Sequence, residues 1–289
     1  MAGQAVTETD PELESTEDRD PTLAAVAPGA EGSGIQSVHR AMRLLSLFAP
    51  QGPDAIRRAR WSVSDLARAS GLHKSVVARL MATMASHGIV FQDPISRTYS
   101  IGPTAFAIGS AYEPYQVLGQ IAHPVMSALT VECGHASYLG VPAADHYVFL
   151  LACESTRSIR VTIEIGEQRP FHTGAIGKAL LAGMNDDEIV ARVGPDPLPQ
   201  MTPYSITSLE QLMMQISEIR RTGIARNQDE AILGTGSVAV GMRNAQGETV
   251  AGIGIVYPSH VVSVEEIERL AIIVQRAGHE IERQLAGRA

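Results

Sequence analysis

The chain is poor in cysteine and in aromatic residues. Its 289 residues include two cysteines, one tryptophan and only 4% aromatic residues in total. Two cysteines exclude a disulfide framework and a structural zinc site built from paired CxxC ligands. Cys133 and His135 are close enough in sequence to suggest a metal site, but no second pair of closely spaced ligands accompanies them. We therefore expect buried thiols, and we predict neither a metal nor another cofactor.

Long hydrophobic runs are also missing. The sequence has no stretch of about 18 uncharged apolar residues, the length that spans a bilayer. Its first residues are acidic and lack the basic start and apolar segment of a signal peptide. We therefore expect a cytoplasmic protein that does not bind membranes. Hydrophobic residues still make up 45% of the chain, which is enough for the cores of two domains.

Positive charge is scarce outside one segment. The net charge is −8 overall, and −7 each in residues 1–33 and 104–289. Residues 1–33 contain few large hydrophobic side chains, so we predict a disordered acidic tail, which is either simply solvated or competes with a polyanion for the basic segment. Residues 34–103, by contrast, hold nine Lys or Arg against three Asp or Glu. This local excess of +6 is what phosphate binding requires.

Residues 62–101 follow the order helix, tight turn, helix and hairpin. Ser62 or Ser64 begins the first helix, Asp65 has the position of a capping-box residue, and Gly71 ends the helix. The second helix has apolar residues at the spacing of one buried face: Val77, Leu80, Met81 and Met84. A turn at residues 93–96 then separates two short stretches of alternating polarity.

The opposite face of the second helix is polar or small. It carries Lys74, Ser75, Ala78 and Arg79, which suit base edges and phosphates in a major groove, and Arg97 follows near the tip of the hairpin, where we expect a DNA backbone contact. The pattern predicts a winged helix-turn-helix that binds double-stranded DNA. An ordinary solvated helical hairpin is the alternative, and the local charge favours DNA.

A further helix is predicted before this unit, at residues 37–48. Its apolar positions Val38, Met42, Leu45 and Phe48 are expected to face inward. Three arginines, Arg57, Arg58 and Arg60, follow in a segment of irregular sequence. They either contact phosphates or keep a loop solvated.

Residues 104–118 are predicted as a linker helix and residues 119–289 as a second domain. Pro114 and Pro124 are expected to interrupt the helical stretch at residues 103–134. The remaining predicted elements are a hairpin (138–141 and 147–153), a strand (158–165), helices (175–184, 186–193 and 208–222), strands (224–227, 238–243 and 250–257) and a last helix (264–285). Strands with helices on one face predict an α+β domain.

Several motifs in order resemble the IclR family of bacterial transcriptional regulators, from about Gln36 to the C-terminus. They are QSVHRAMRLL at 36–45, SDLARASGLHKSVVARLMATM at 64–84, RTYSIGP at 97–103, HTGAIGKALLA at 172–182, RRTGIARNQDE at 220–230 and GIVYP at 254–258. The resemblance implies a winged helix-turn-helix, a linker helix and a GAF/PAS-like domain that binds a small-molecule effector. It also implies operator binding, most often as a repressor, by homodimers or dimers of dimers.

The same resemblance implies a set of effector-binding positions: Val161, Ala175, Ile176, Asn227, Thr235, Ser237, Gly254 and Val256. Asn227, Thr235 and Ser237 are the expected polar anchors, because the positions of Gly254 and Val256, often Ser in the family, have no hydroxyl here. The apolar residues of the set can equally be core residues. A polar side chain such as Asn227 needs a partner, which can be a ligand, a water or a carbonyl group.

Three other hypotheses fit the sequence less well. The segment 176–178 resembles the end of a phosphate-binding loop, but the required first glycine is His172 and the required final hydroxyl residue is Ala179, so Lys178 is interpreted as a surface or capping charge. His172, Asp229, Glu230 and Ser237 are residue types found in active sites, but no catalytic motif surrounds them, so we expect no enzyme. A ligand-binding sensor or enzyme domain with a module for partners other than DNA does not explain the basic segment.

Overall fold

The structure is a computed structural model that describes residues 35–49 and 60–287. The predicted tail at residues 1–33, together with Arg57 and Arg58, lies outside the described residues. The helices are α1 (Gln36–Ser46), α2 (Val63–Ser70), α3 (Lys74–Ser86), α4 (Pro103–Ser110), α5 (Glu113–Cys133), α6 (Ala175–Ala182), α7 (Asp186–Val193), α8 (Leu209–Thr222) and α9 (Val264–Ala286). The strands are β1 (Val90–Gln92), β2 (Tyr99–Ile101), β3 (Ala136–Pro142), β4 (His146–Cys153), β5 (Gln168–Pro170), β6 (Ala225–Gln228), β7 (Thr235–Arg243) and β8 (Thr249–Pro258).

The first three helices and the β1–β2 hairpin enclose a small core of their own. The buried residues of this core include Leu44, Leu66, Val77 and Met81. The prediction that Val38 and Met42 face inward is wrong, because these side chains are 51% and 55% exposed. Helix α1 instead buries Leu44 and packs its neighbours Ala41, Leu45 and Phe48 around it. The inward face is therefore rotated from the predicted one.

The second part of the chain is built on one antiparallel sheet with the strand order β5-β4-β3-β8-β7-β6. Helices α5 and α9 pack on one face of this sheet, and α6 and α8 pack on the other. The prediction of helices on one face only is therefore wrong. Strands β7 and β8 are buried on both sides along most of their length, and their side chains are accordingly apolar or small except for the exposed Arg243 at the end of β7.

Two further expectations fail in this part of the chain. Residues 158–165 form a loop rather than a strand, and the short strand at the edge of the sheet is β5. Pro124 lies inside α5 without ending it. Ile121 and Met126, on either side of this proline, are buried in the core beneath the helix, and this packing offsets the lost backbone hydrogen bond. None of the helices in the described ranges is long and apolar enough to cross a membrane.

Candidate functional site

Helices α2 and α3 form the predicted helix-turn-helix. The Ser62 hydroxyl accepts a hydrogen bond from the Asp65 backbone amide at 3.1 Å, which caps the first turn of α2. Gly71 ends the helix with a φ of 69°, a conformation that a residue with a Cβ rarely adopts. Helix α3 begins at Lys74 and buries Val77, Met81 and Met84 beneath it. Packing of these side chains fixes which face of α3 remains open.

The four residues predicted to contact the major groove all lie on that open face. Lys74, Ser75, Ala78 and Arg79 are exposed. Because they lie in the first two turns of α3, a cation, a hydroxyl and a methyl group stand together near the N-terminus of the helix. This arrangement can place donors against base edges and phosphates.

The hairpin that follows α3 has a rigid turn. Strands β1 and β2 pair antiparallel, and Trp61 adds a bridge to Tyr99. In the turn, the Asp93 carboxylate accepts hydrogen bonds from the backbone amides of Ile95 and Ser96 at 2.9 and 2.8 Å. These bonds, with a smaller contribution from Arg60, lower the pKa of Asp93 to about 2, so the turn keeps its charge at neutral pH.

Two arginines near this hairpin differ in whether their side chains are already paired within the protein. Arg97 is exposed and has a φ of 58°, in the left-handed region that costs a non-glycine residue about 1 kcal/mol or more. Arg60 forms an ion pair with Asp93 at 3.0 Å. Because of this pair, Arg60 stabilises the turn, whereas Arg97 projects a cation from the hairpin.

The second candidate site is a cavity between the sheet and α6. All eight residues predicted to bind an effector line it, namely Val161, Ala175, Ile176, Asn227, Thr235, Ser237, Gly254 and Val256. The remaining lining is mostly apolar or aromatic and includes Tyr147, Phe149, Ile163 and Ile232. The structure thus brings together residues from three strands, one helix and one loop. Effector binding by these residues stays a prediction.

The cavity is narrow. Its interior volume is about 20 Å³, close to the space that one water needs. An organic ligand can therefore enter only if wall side chains or the neighbouring loops move. Gly140 and Gly252 contribute to this narrowness because they let Ile176 of α6 pack close to the sheet. A Cβ at Gly140 or Gly252 would lie only 2.9 or 3.1 Å, respectively, from the Ile176 side chain.

The polar end of the cavity is formed by strands β6 and β7. Asn227 and Ser237 are register partners, and the Asn227 Nδ2 donates to the Ser237 Oγ at 3.2 Å. The Asn227 Oδ1 accepts from the Glu230 backbone amide at 3.1 Å, which fixes the orientation of the side-chain amide. The Thr235 hydroxyl donates to the Ile232 carbonyl at 2.7 Å. Among the described residues, the Ser237 hydroxyl proton and the second Nδ2 proton have no acceptor.

Arg169 is a cavity residue that sequence reasoning missed. It lines the cavity from β5, and its guanidinium lies 5.3 Å from the ring centre of Phe149. Its Nε donates to the Glu167 Oε1 at 2.7 Å. Its Nη1 has no partner among the residues that the structure describes. No local pattern singles out this arginine, because its role depends on which residues surround it in space.

Lys178 is not the surface or capping charge that the sequence suggested. Its side chain has no exposed surface, and its Nζ donates to both Glu230 carboxylate oxygens, at 2.9 and 2.8 Å, and to the Gln215 Oε1 at 2.8 Å. Burial lowers the pKa of Lys178 and raises that of Glu230, and the attraction between the two opposes both shifts. The result is a buried ion pair directly behind Asn227.

The loop at residues 154–166 closes another side of the cavity. The Tyr138 hydroxyl donates to the Val161 carbonyl and accepts from the Ile163 backbone amide, both at 3.1 Å. Tyr138 is fully buried on β3, so one side chain of the sheet holds two backbone groups of this loop. Two of the backbone groups that a strand at residues 158–165 would pair with a neighbour are here bonded to this hydroxyl instead.

The residues considered for catalysis are engaged in structural contacts. The His172 Nε2 lies 2.9 Å from the Pro199 carbonyl, and burial lowers the pKa of this histidine. Glu230 is bound by Lys178, and Asp229 accepts from the Gly234 backbone amide at 2.6 Å. In the described part of the chain, no group of three or more His, Cys, Asp or Glu residues is placed to hold a metal ion. Burial raises the pKa of the Cys133 thiol, which favours its protonated form.

Comparison with known proteins agrees with this architecture. The family model described as "Bacterial transcriptional regulator IclR C-terminal" matches residues 115–283, more than half of the chain, and the "IclR helix-turn-helix domain" model matches residues 37–94. The regulator BhcR of Paracoccus denitrificans is 28% identical over 261 residues, which cover 90% of this chain and 91% of that protein. The transcriptional repressor IclR of Escherichia coli is 26% identical over 259 residues, which cover 89% and 92%.

Solved structures of similar proteins share the fold. A putative IclR regulator from Silicibacter superposes with a TM-score of 0.75 at 24% identity, covering 86% of this chain and 96% of its own. An IclR homologue from Microbacterium hydrocarbonoxydans, solved in complex with 4-hydroxybenzoate, superposes with a TM-score of 0.69 at 21% identity, covering 86% and 98%. With a helix-turn-helix followed by a ligand-cavity domain and with both family models matched in order, the chain belongs to the IclR family of bacterial transcriptional regulators, DNA-binding proteins controlled by a ligand.

Proposed function

We propose that the protein is a cytoplasmic repressor without enzymatic activity. Its affinity for operator DNA changes when a small organic acid enters the cavity between α6 and the sheet. It acts as a homodimer or a dimer of dimers, because a palindromic operator presents two half-sites about one helical turn apart. In this proposal residues 34–103 bind DNA, residues 104–118 form the linker, and residues 119–289 bind the effector and join the copies.

The DNA contact is assigned to the open face of α3 and to the hairpin. Lys74, Ser75, Ala78 and Arg79 enter the major groove, and Arg97 contacts the backbone. The support is their shared exposure on one small domain and the net charge of +6 on residues 34–103. Lys74, Arg79 and Arg97 give three cations per protomer and six per dimer. If every cation contacts a phosphate, the logarithm of the DNA association constant falls with the logarithm of salt concentration with a slope of up to about −5.

The observation that carries the effector assignment is the hydrogen-bonding character of the cavity. The uncommitted polar groups on its walls include three donors, namely the Nη1 of Arg169, the hydroxyl of Ser237 and one amide proton of Asn227, and the Tyr147 hydroxyl, which can donate or accept. Donors select acceptor oxygens such as those of a carboxylate. The Arg169 charge is already paired with Glu167 at 2.7 Å, so the preference for an acid rests on these hydrogen-bond donors. The aromatic and aliphatic walls then accept a short apolar body. The 4-hydroxybenzoate held by the M. hydrocarbonoxydans homologue is an acid of this kind.

A ligand regulates DNA binding only if it binds one arrangement of the protein better than another. Entry of an acid into a cavity of about 20 Å³ must displace wall residues, and this displacement supplies the required difference between the two arrangements. Regulation of this kind needs no chemical step on the ligand.

The experiment is a thermal-shift screen of aromatic acids, short-chain acids and lactones, followed by DNA titration with each binder. DNA from upstream of the protein's own gene serves as the probe. We expect an acid to raise the unfolding temperature and to change DNA affinity at least fivefold, and we expect the double variant Asn227→Ala, Ser237→Ala to lose both effects. Ser217→Ala, which removes a hydroxyl on α8 outside the cavity, is the matched control. A binder whose effects survive the double substitution would place the effector elsewhere.

A further inference from the structure

The loop between β6 and β7, residues 229–234, forms one wall of the cavity. It carries Ile232 into the lining and connects the two strands that bear Asn227 and Ser237. Any movement of this loop therefore changes both the shape of the cavity and the orientation of its polar end. What holds the loop decides how well the cavity is formed before a ligand arrives.

Several contacts that hold this β6–β7 loop come from residues 202–205 and from the loop itself. The Thr202 and Ser205 hydroxyls donate to the Asp229 and Glu230 carbonyls at 2.6 and 2.7 Å. The Asp229 carboxylate accepts from the Gly234 amide, and Asp229 itself has a φ of 59°, an uncommon conformation that its surroundings must maintain.

A further contact comes from the buried cation on α6. The Glu230 side chain points inward to Lys178, and the Glu230 backbone amide donates to the Asn227 Oδ1. A single residue thus joins the buried cation on α6 to the carboxamide that faces the cavity. All three protons of the Lys178 ammonium are donated within the protein, two to Glu230 and one to Gln215 of α8. No proton of this group remains to donate to water or to a ligand.

A buried ion pair is weak support for stability. Replacing such a pair by apolar side chains of similar volume is often neutral or stabilising. The Lys178–Glu230 pair lies where a loop meets the cavity, and such a pair contributes little net stability. Its position fits a different role, which is to select one conformation of the loop.

We propose that Lys178 and Glu230 are positioning residues that fix the β6–β7 loop and, through it, the Asn227 carboxamide. This inference rests on the proposed function in that it assigns the cavity to the effector. The pair keeps the polar end of the cavity in its binding geometry, and an apolar pair keeps the fold but releases the loop.

The test is hydrogen exchange, followed by mass spectrometry on the full chain without ligand, of the wild type and of the double variant Lys178→Met, Glu230→Leu. The amides of Glu230, Gly234 and Thr235 report on the loop, because each donates a hydrogen bond within it or to Asn227. We expect the double variant to unfold at or above the wild-type temperature, to exchange these amides at least tenfold faster, and to leave α6 and the middle of β7 unchanged.

Two further variants make the test specific. Glu230→Gln keeps one acceptor oxygen for Lys178 but removes its counter-ion, so it is expected to lower stability and to speed exchange of the loop more than that of the rest of the domain. It also serves if the double variant does not fold. Gln215→Leu removes the third partner of the same ammonium group without touching the loop, and its loop amides are expected to exchange within twofold of the wild type.

Wild-type protection of the loop in the double variant, or in Glu230→Gln, would overturn the proposal. So would faster exchange spread over the whole domain, because that result marks a general structural role. Since no ligand is present, these outcomes are independent of whether an acid binds the cavity, and failure of the effector assignment is seen separately in the thermal-shift screen.

Discussion

Removing Lys178 alone is expected to leave a buried carboxylate without its counter-ion. The Glu230 residue is 8% exposed, and Lys178 supplies the cationic contact to its carboxylate. Loss of one partner of a buried pair typically costs about 3–5 kcal/mol. We therefore expect Lys178→Met to lower the free energy of unfolding by that amount at about pH 8, where an unpaired carboxyl is most strongly destabilising.

The pH dependence of this loss follows from the direction of the Glu230 pKa. Burial raises it, and without Lys178 the opposing attraction is gone. The folded variant then holds a proton that the unfolded chain releases above about pH 4.3, so the variant loses stability as the pH rises from the unfolded pKa to the folded pKa. The slope is at most about 1.4 kcal/mol per pH unit. Below this window both states are protonated and the pH-dependent part of the loss disappears.

Urea unfolding at a fixed protomer concentration between about pH 5 and pH 8 measures this effect by circular dichroism. Trp61, the only tryptophan, lies in the core of the DNA-binding part, so its fluorescence serves as an internal reference that the substitution should leave unchanged. Lys178→Met, Glu230→Gln lacks the titrating carboxyl, and its loss should not vary with pH. A loss in Lys178→Met that is below about 1 kcal/mol, or equal at both ends of the pH range, would refute the reasoning.

Three other predictions follow from single contacts. Tyr138→Phe leaves the Ile163 amide without its hydroxyl partner; it should cost about 1–3 kcal/mol and speed proteolysis at residues 154–166, and unchanged cleavage there would contradict the role of the hydroxyl. Gly177→Ala places a Cβ 2.2 Å from a backbone oxygen and should destabilise by about 3 kcal/mol, whereas Gly109→Ala, with open space around it, should be neutral or slightly stabilising in the same melt. Arg97→Gly relieves the positive φ and should raise stability by up to about 1 kcal/mol while weakening DNA binding; unchanged affinity would remove Arg97 from the interface.

The sequence predicts the elements of the DNA-binding part well because their signals are local. The Ser62 cap, the Gly71 turn and the spacing of Val77, Met81 and Met84 lie within about two dozen residues, and each is confirmed by the structure. The buried face of helix α1 is harder to predict, because Val38 and Leu44 are both apolar and only the packing partners decide which one is buried.

The interior of the second domain depends on contacts that are distant in sequence. Lys178 and Glu230 are 52 residues apart, and nothing in either neighbourhood shows that the two charges meet in the core. Gly252 lies where α6 packs on the sheet, but a glycine in a strand does not by itself show that a helix covers it, so the helices on the second face are not predicted. The motif resemblance named eight residues that the structure brings to one cavity, but Arg169 belongs to no such pattern.

The central claim, that the open face of α3 binds operator DNA, is tested most directly by fluorescence anisotropy with DNA from upstream of the gene. The double variant Lys74→Ala, Arg79→Ala should bind DNA at least 100-fold more weakly than the wild type. If the dimer loses four phosphate contacts, the slope of log affinity against log salt concentration should fall in magnitude by about 3–4. Arg221→Ala, which removes an exposed arginine on α8, should bind as the wild type does. Equal affinity and an equal salt slope for Lys74→Ala, Arg79→Ala would contradict the account.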